Sequence, residues 1–167
     1  MALGRNLESS LLKAIRSLEM GTHHLRLRHL EAMSKEQLFE GLLAQTDERI
    51  FYVTELIRQG VEISEIHNLT KIDIFFLDKI SHIVELEKSD DIYEQKRFGF
   101  SDVEINKAHN IKPVYKAVDA SGGLRPYSAP YFYSTYDKDN ESIVSVKPSI
   151  LVLGSGPIHI GQGVEFD

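Results

Sequence analysis

The chain has 167 residues, which is enough for one ordinary domain, or for one domain and part of a second. Its 19 Lys and Arg against 25 Asp and Glu give a net charge of −6, which argues against a general nucleic-acid binder. Cysteine is absent, which excludes disulfides, zinc thiolate sites and cysteine nucleophiles, and no apolar run approaches the roughly 20 residues that cross a bilayer.

Residues 6–88 are predicted to be mainly helical. The first helix is predicted to begin at Asn6, a favourable N-cap, and to end at Gly21. Its inward face is expected to hold four apolar residues at spacings of four, four and three: Leu7, Leu11, Ile15 and Leu18. Residues 22–33 are predicted to form a connecting loop. Residues 1–5 carry no signal-peptide pattern, so a cytoplasmic location is expected.

Two further helices have boundary signals in the sequence. Ser34 and Gln37 form a capping-box pattern at the start of the second helix. That helix presents three leucines: Leu38, Leu42 and Leu43. Asp47 is predicted to cap a third helix, which ends at Gly60. Its inward residues are predicted to be Ile50, Val53, Leu56 and Ile57. Residues 63–69 are predicted to be a short turn.

The next predicted helix, from about residue 72 to residue 87, has the strongest apolar periodicity in the chain. One wide stripe holds six side chains: Ile72, Phe75, Phe76, Ile80, Ile83 and Val84. Such a stripe normally faces its own core, but it also offers a contact with another subunit. The interface candidates are Phe75, Phe76, Ile80 and Ile83. A shorter helix is predicted from the capping box at residues 101–104 to about Asn110.

Beyond Pro113 the pattern changes from helical to extended. Residues 113–136 contain glycine, proline and several tyrosines, and they are predicted to be an extended, packed segment. Residues 137–147 are polar and are predicted to be a linker. Residues 149–153 form a nearly continuous apolar run, which is typical of a parallel strand covered on both faces.

A glycine-rich turn follows that strand at residues 154–163. Glycines let the backbone approach a phosphate, so the candidate nucleotide contacts are Gly154, Gly156, Gly161 and Gln162. The spacing departs from the dinucleotide fingerprint, and no P-loop Lys-Ser/Thr pair follows. A tight structural turn is the alternative. Because such turns normally lead into a helix, the sequence is expected to be part of a larger protein.

No other group of residues predicts catalysis or metal binding. His23 and His24 are adjacent and point in different directions, and His29 lies in the predicted loop, so a solvated loop is expected rather than a metal site. A solvated acidic helix end is expected to hold four carboxylates: Glu85, Glu87, Asp90 and Asp91. The tyrosines could stack on bases, but little positive charge surrounds them, so packing is the preferred interpretation.

Several segments resemble, in order, the middle of the large subunit of carbamoyl-phosphate synthases. The most specific is residues 149–167 (SILVLGSGPIHIGQGVEFD), similar to a signature near the start of each of that family's two synthetase halves. The other similar segments are residues 4–14, 68–77, 96–102, 113–119 and 133–136. The chain departs from the family in two places. Its segment 103–112 is shorter, and residues 120–123 replace a segment that contains cysteine.

The resemblance implies a mainly α fold with three parts. Residues 1–112 would form a helical oligomerisation domain, of which residues 1–5 are the tail of the preceding ATP-grasp half. Residues 113–148 would be an extended segment and linker. Residues 149–167 would supply one β-strand and the glycine-rich turn of a truncated α/β domain, the second domain of the pre-ATP-grasp type.

The resemblance also implies a function. The parent ligase makes carbamoyl phosphate from bicarbonate, glutamine-derived ammonia and two ATP for arginine and pyrimidine biosynthesis, with Mg²⁺ (or Mn²⁺) and K⁺. This part would be non-catalytic, with no cofactor, metal or catalytic residue of its own. Its expected partners are a second copy, the rest of the large subunit and a glutaminase small subunit, with no nucleic acid and no membrane. The alternatives are a free-standing helical interaction module and a nucleotide-binding fragment that uses residues 154–163.

Overall fold

Eight α-helices and two β-strands form in the part of the chain that the structure, a computed structural model, describes: residues 2–109, 112–118, 131–143, 146–150 and 152. The helices are α1 (Leu7–Ser17), α2 (Arg28–Glu31), α3 (Lys35–Leu43), α4 (Arg49–Arg58), α5 (Ile63–Thr70), α6 (Ile74–Leu86), α7 (Ile92–Arg97) and α8 (Asp102–His109). The strands are β1 (Val114–Ala117) and β2 (Phe132–Thr135). The chain divides into two units, Met1–Pro113 and Val114–Asp167. The prediction of a mainly α fold is confirmed.

Local capping bonds set the beginnings of several helices. Asn6 accepts a hydrogen bond from the Ser9 amide at 2.8 Å and caps α1 as predicted. Ser34 and Gln37 bond reciprocally at the start of α3, so the predicted capping box is confirmed. Asp73 accepts a hydrogen bond from the Phe75 amide at 2.8 Å and starts α6. These bonds satisfy amides that have no partner within the helix.

Several predicted boundaries are wrong. Helix α1 ends at Ser17, well before Gly21, and α4 begins at Arg49 with Glu48 rather than Asp47 at the N-cap position. The predicted loop contains the short helix α2. The predicted turn at residues 63–69 is the helix α5, whose N-cap residue makes no side-chain capping bond and therefore left no signal in the sequence. Helix α7 was not predicted, because its six residues are too few to show a period.

The core of the first unit is built from one face of each major helix. Fully buried apolar residues come from every helix from α1 to α6, and they include Leu12, Leu30, Leu38, Leu56, Ile66 and Leu77. The predicted inward face of α1 is only partly correct. Ile15 is buried, but Leu18 is 61% exposed, and Leu7 and Leu11 are half-buried. The buried face of α1 is therefore centred closer to Leu12 than the sequence predicted. Leu7 and Leu11 lie at the edge of this buried face.

The turn between α7 and α8 packs closely on α1. Gly99 has a φ of +90°, in the left-handed region, and a Cβ there would lie 2.7 Å from the Ser9 Cα. Its carbonyl accepts a hydrogen bond from the Arg16 guanidinium at 3.0 Å. This close approach requires glycine at position 99 and holds the turn against α1.

The second unit contains a two-stranded antiparallel sheet. Val114 pairs with Thr135 and Ala117 with Phe132. Asn140 and Glu141 accept hydrogen bonds from the amides of Tyr115 and Ala117, both at 2.9 Å or less, and so occupy the other edge of β1. Part of the predicted linker is therefore bonded to the sheet.

The tyrosine-rich segment differs from the prediction of a packed segment. Tyr136 is buried, but Tyr131 and Tyr133 are largely exposed. No strand forms at the described positions 149, 150 and 152 of the predicted apolar strand. The other two positions of that strand and the whole glycine-rich turn lie outside the described residues. Among the helices that the structure describes, none has the length and apolar character needed to span a membrane.

Candidate association surface

The apolar stripe of α6 divides into a buried part and an exposed part. Ile80 and Ile83 are 5% and 0% exposed, so these two interface candidates belong to the core of their own chain. Phe75 and Phe76 are 55% and 49% exposed, and the neighbouring Ile74 is 52% exposed. Three consecutive large apolar side chains at a helix start are unusual on a solvent-facing surface, and they are typical of a protein contact.

The two phenylalanines are held in a defined arrangement. Their ring centroids lie 5.4 Å apart with an interplanar angle of 76°, which is the favourable edge-to-face geometry. The Lys79 ammonium lies 5.7 Å from the centroid of the Phe75 ring, one turn further along α6. The exposed aromatic pair is therefore ordered by its neighbours on the same helix.

An apolar groove of about 520 Å³ lies beside this pair, between α1, α4 and α6. Its lining residues are Leu7, Leu11, Asp47, Arg49, Ile50, Val53, Ile72, Phe76 and Ile80. Phe76 belongs both to the groove and to the exposed aromatic pair. The groove explains why Leu7, Leu11 and Ile50, which the sequence predicted to face the core, are only half-buried.

Two opposite charges stand at the rim of the groove, at the N-terminus of α4. Arg49 donates from Nη2 to the carbonyl of Thr70 at 3.4 Å, and its buried Nε has no hydrogen-bond partner among the described residues. Asp47 is exposed, and within that same part of the chain it forms no ion pair with Arg49. From the sequence, Asp47 is predicted only to cap a helix, and no role is predicted for Arg49. Their position next to the apolar residues of α4 is the sequence signal that could have indicated a shared surface.

A buried carboxylate holds two walls of the groove together. Glu8, in the first turn of α1, is 3% exposed, and its Oε1 lies 2.8 Å from Nδ1 of His82 on α6. Lys79 lies 3.8 Å from the same oxygen. The His82 ring stands edge-on to Phe98 at 4.6 Å. This contact joins α1 to α6, so the groove is already formed in the single chain.

A second set of charges is buried at the other end of α6. Arg58 donates to Glu87 from Nε at 2.9 Å and from Nη2 at 2.6 Å, and to Glu55 from Nη1 at 2.8 Å. Its Nη2 also reaches the Leu25 carbonyl at 2.7 Å, and Arg26 donates to Glu87 at 2.7 Å. All nitrogens of the Arg58 guanidinium are therefore bonded, and they join α4, α6 and the segment before α2.

His24 completes this ionic network. Its Nε2 lies 2.9 Å from Oε1 of Glu87, which is an ion-pair distance, although the ring N–H is not aligned for a hydrogen bond. Burial alone would raise the pKa of Glu87, but the bonds from Arg58 and the contact with His24 outweigh it and hold that pKa far below its ordinary value of 4.5. For Arg58, burial opposes ionisation, and the contacts with Glu87 and Glu55 outweigh it and raise the pKa.

This network corrects two predictions. Glu87 is not part of a solvated acidic end, because it pairs with Arg58. Glu85, Asp90 and Asp91 are exposed as predicted, and Asp91 also caps α7 by accepting from the Glu94 amide at 3.0 Å. His24 is not in a solvated loop, since it is 3% exposed and packs on Phe100 at 4.8 Å.

No three His, Asp or Glu side chains in the described part of the chain are grouped so as to hold a metal ion. The candidate nucleotide contacts Gly154, Gly156, Gly161 and Gln162 lie outside the described residues.

Taken together, the exposed α6 aromatics and the preformed groove define a helical domain suited to protein association. Comparison with known families agrees with that class. Residues 1–120 match the family described as the carbamoyl-phosphate synthetase large chain, oligomerisation domain, and the chain belongs to this family. The resemblance inferred from the ordered sequence segments is thereby confirmed.

Proposed function

We propose that this chain is the oligomerisation and connecting domain of a carbamoyl-phosphate synthase large subunit, and that residues 1–112 associate with a second copy. The observation that carries the proposal is the exposed Ile74, Phe75 and Phe76 beside a preformed groove, in a chain of an oligomerisation family. Burial of these side chains would remove apolar surface from water, which is the main driving force for association.

In this proposal the domain serves an enzyme whose chemistry is performed elsewhere. The parent ligase would make carbamoyl phosphate from bicarbonate, glutamine-derived ammonia and two ATP, with Mg²⁺ or Mn²⁺ and K⁺, in the cytoplasm, for arginine and pyrimidine biosynthesis. The rest of the large subunit and a glutaminase small subunit would be its other partners. Residues 113–148 would lead into the next synthetase half, and residues 149–167 would begin that half.

The role of this chain is then to fix the distance and orientation of the catalytic parts. The ionic network of Arg58 and Glu87 supports that role, because it joins three segments that are far apart in sequence. A rigid connection transmits orientation between the parts that it joins, whereas a flexible linker would not. No catalytic role is proposed for any residue of the first unit.

Light scattering over a concentration series tests the proposal on the 167-residue chain. We expect the mass to rise from the 19.0 kDa of one chain toward twice that value, and to fall again on dilution. Calorimetric titration of the same sample with Mg²⁺-ATP is expected to release no heat of binding. A folded chain that stays monomeric at every concentration would overturn self-association. ATP binding by such a monomer would favour the nucleotide-binding alternative.

A further inference from the structure

We infer that the groove between α1, α4 and α6 receives the exposed α6 aromatics of a second copy, with Asp47 of each copy against Arg49 of the other. This inference rests on the proposed self-association and specifies its geometry. It commits to a second copy of this chain as the occupant of the groove.

The first argument is the position of the protruding side chains relative to the groove. Phe76 is half-exposed and also lines the groove, and Phe75, its neighbour in an edge-to-face pair, projects beside it. A two-fold axis near these residues places the aromatics of each copy at the groove of the other. Because protrusion and cavity are adjacent on one surface, this contact closes into a dimer and does not extend into a fibre.

The second argument is the charge at the rim. Asp47 and Arg49 both line the groove, carry opposite charges, and form no ion pair with each other within the described residues. Arg49 uses only one bond of 3.4 Å, to the Thr70 carbonyl, and the buried Nε has no partner in the described part of the chain. A carboxylate from a second copy would add an opposite charge beside this half-buried guanidinium, and a planar guanidinium binds a carboxylate with high directional preference.

A two-fold arrangement uses both charges at once. The Asp47 carboxylate of one copy would meet the Arg49 guanidinium of the other, and the same pair forms again across the axis. A purely apolar ligand would leave both rim charges without an opposite charge. A partner with a single charge would satisfy one and repel the other. The surface therefore matches itself better than it matches either of those occupants.

The test is a charge-exchange experiment on the full chain. Asp47→Arg gives a rim with two positive charges, and Arg49→Asp gives a rim with two negative charges. Each variant alone is expected to self-associate at least about 10-fold more weakly than the wild-type chain, because like charges meet across the axis. An equimolar mixture of the two is expected to recover the wild-type affinity within about 3-fold, because opposite charges meet again.

Two controls keep the result interpretable. The double variant Asp47→Arg, Arg49→Asp carries both charges exchanged and is expected to associate like the wild-type chain. Asp90→Arg reverses an exposed charge after α6 and is expected to have no effect. Thermal unfolding of every variant establishes whether that variant is folded.

The outcomes separate the inference from the proposed function. A wild-type chain that is monomeric overturns the proposed function and the inference together. A wild-type dimer whose two single variants associate normally overturns the inference alone, as does a mixture that fails to recover. If a small ligand or another protein is the true occupant of the groove, the wild-type chain alone is either monomeric or dimerises through a different surface. In the second case both single variants associate normally.

Discussion

Replacement of Glu87 with Gln is expected to lower the free energy of unfolding by about 3–5 kcal/mol, as removal of one member of a buried ion pair does. Glu87 receives two bonds from Arg58 and one from Arg26, and its side chain is only 11% exposed. Glutamine keeps the size of the side chain but removes the charge, so the buried Arg58 guanidinium loses its main compensating partner. Urea unfolding followed by circular dichroism measures the change.

The effect of this replacement is expected to depend on pH in a defined direction. Because the pKa of Glu87 is lower in the folded chain than its ordinary value of 4.5, the carboxylate stabilises the fold fully above that value. The stabilisation is lost as the pH falls toward the folded pKa. The difference between the wild-type chain and the Glu87→Gln variant should therefore be largest near neutral pH and should shrink below about pH 5.

A matched control lies on the same helix. Glu85 is exposed, and within the described part of the chain its side chain makes one contact, with Ser81 Oγ at 3.5 Å. Glu85→Gln is expected to change the free energy of unfolding by less than about 0.5 kcal/mol. If Glu87→Gln behaved like Glu85→Gln at neutral pH, the ionic network would contribute no stability beyond that of a surface carboxylate.

The double replacement Phe75→Ser, Phe76→Ser is expected to weaken self-association by about 100-fold or more, since aromatic residues at the centre of an interface often contribute at least 2 kcal/mol each. Both rings are about half exposed in the single chain. Their removal should therefore cost the folded monomer about 2 kcal/mol in total, less than the 3–5 kcal/mol of a single core phenylalanine. Sedimentation velocity measures the association, and thermal unfolding measures the stability.

Tyr93→Ser is the matched control for the aromatic replacement. Tyr93 is 61% exposed and lies on α7, away from the groove. Its replacement is expected to leave the dissociation constant unchanged. A folded Phe75→Ser, Phe76→Ser variant that still dimerised like the wild-type chain would show that α6 is not the contact. If the double variant did not fold, the two rings would be needed for the stability of the single chain rather than for association.

Features that depend on a few adjacent residues could be predicted from the sequence. The caps at Asn6 and Ser34 are bonds between residues three positions apart, so the residue types alone indicate them. The family could also be inferred, because several motifs occur in a fixed order. Helix α5 escaped prediction because Glu62 provides no side-chain cap, and its only fully buried residue is Ile66.

Features that depend on packing between distant segments could not be predicted. Phe75, Phe76, Ile80 and Ile83 share one periodic stripe, and the period cannot show where the packing of α1 and α4 stops covering it. The partners Arg58 and Glu87 are 29 positions apart, so no local pattern connects them. The groove likewise arises from three helices together. Asp47 and Arg49 border an apolar groove only when those three helices pack together.

Hydrogen exchange of the wild-type chain, measured below and above the concentration at which it associates, tests the central claim most directly. If copies meet through the α6 groove, association should slow exchange in residues 7–11, 47–53 and 72–80, because local opening of these segments is suppressed by the contact. Exchange in α7 should not change. Slowing confined to the strands β1 and β2, with no change around the groove, would contradict the claim and assign the contact to the second unit.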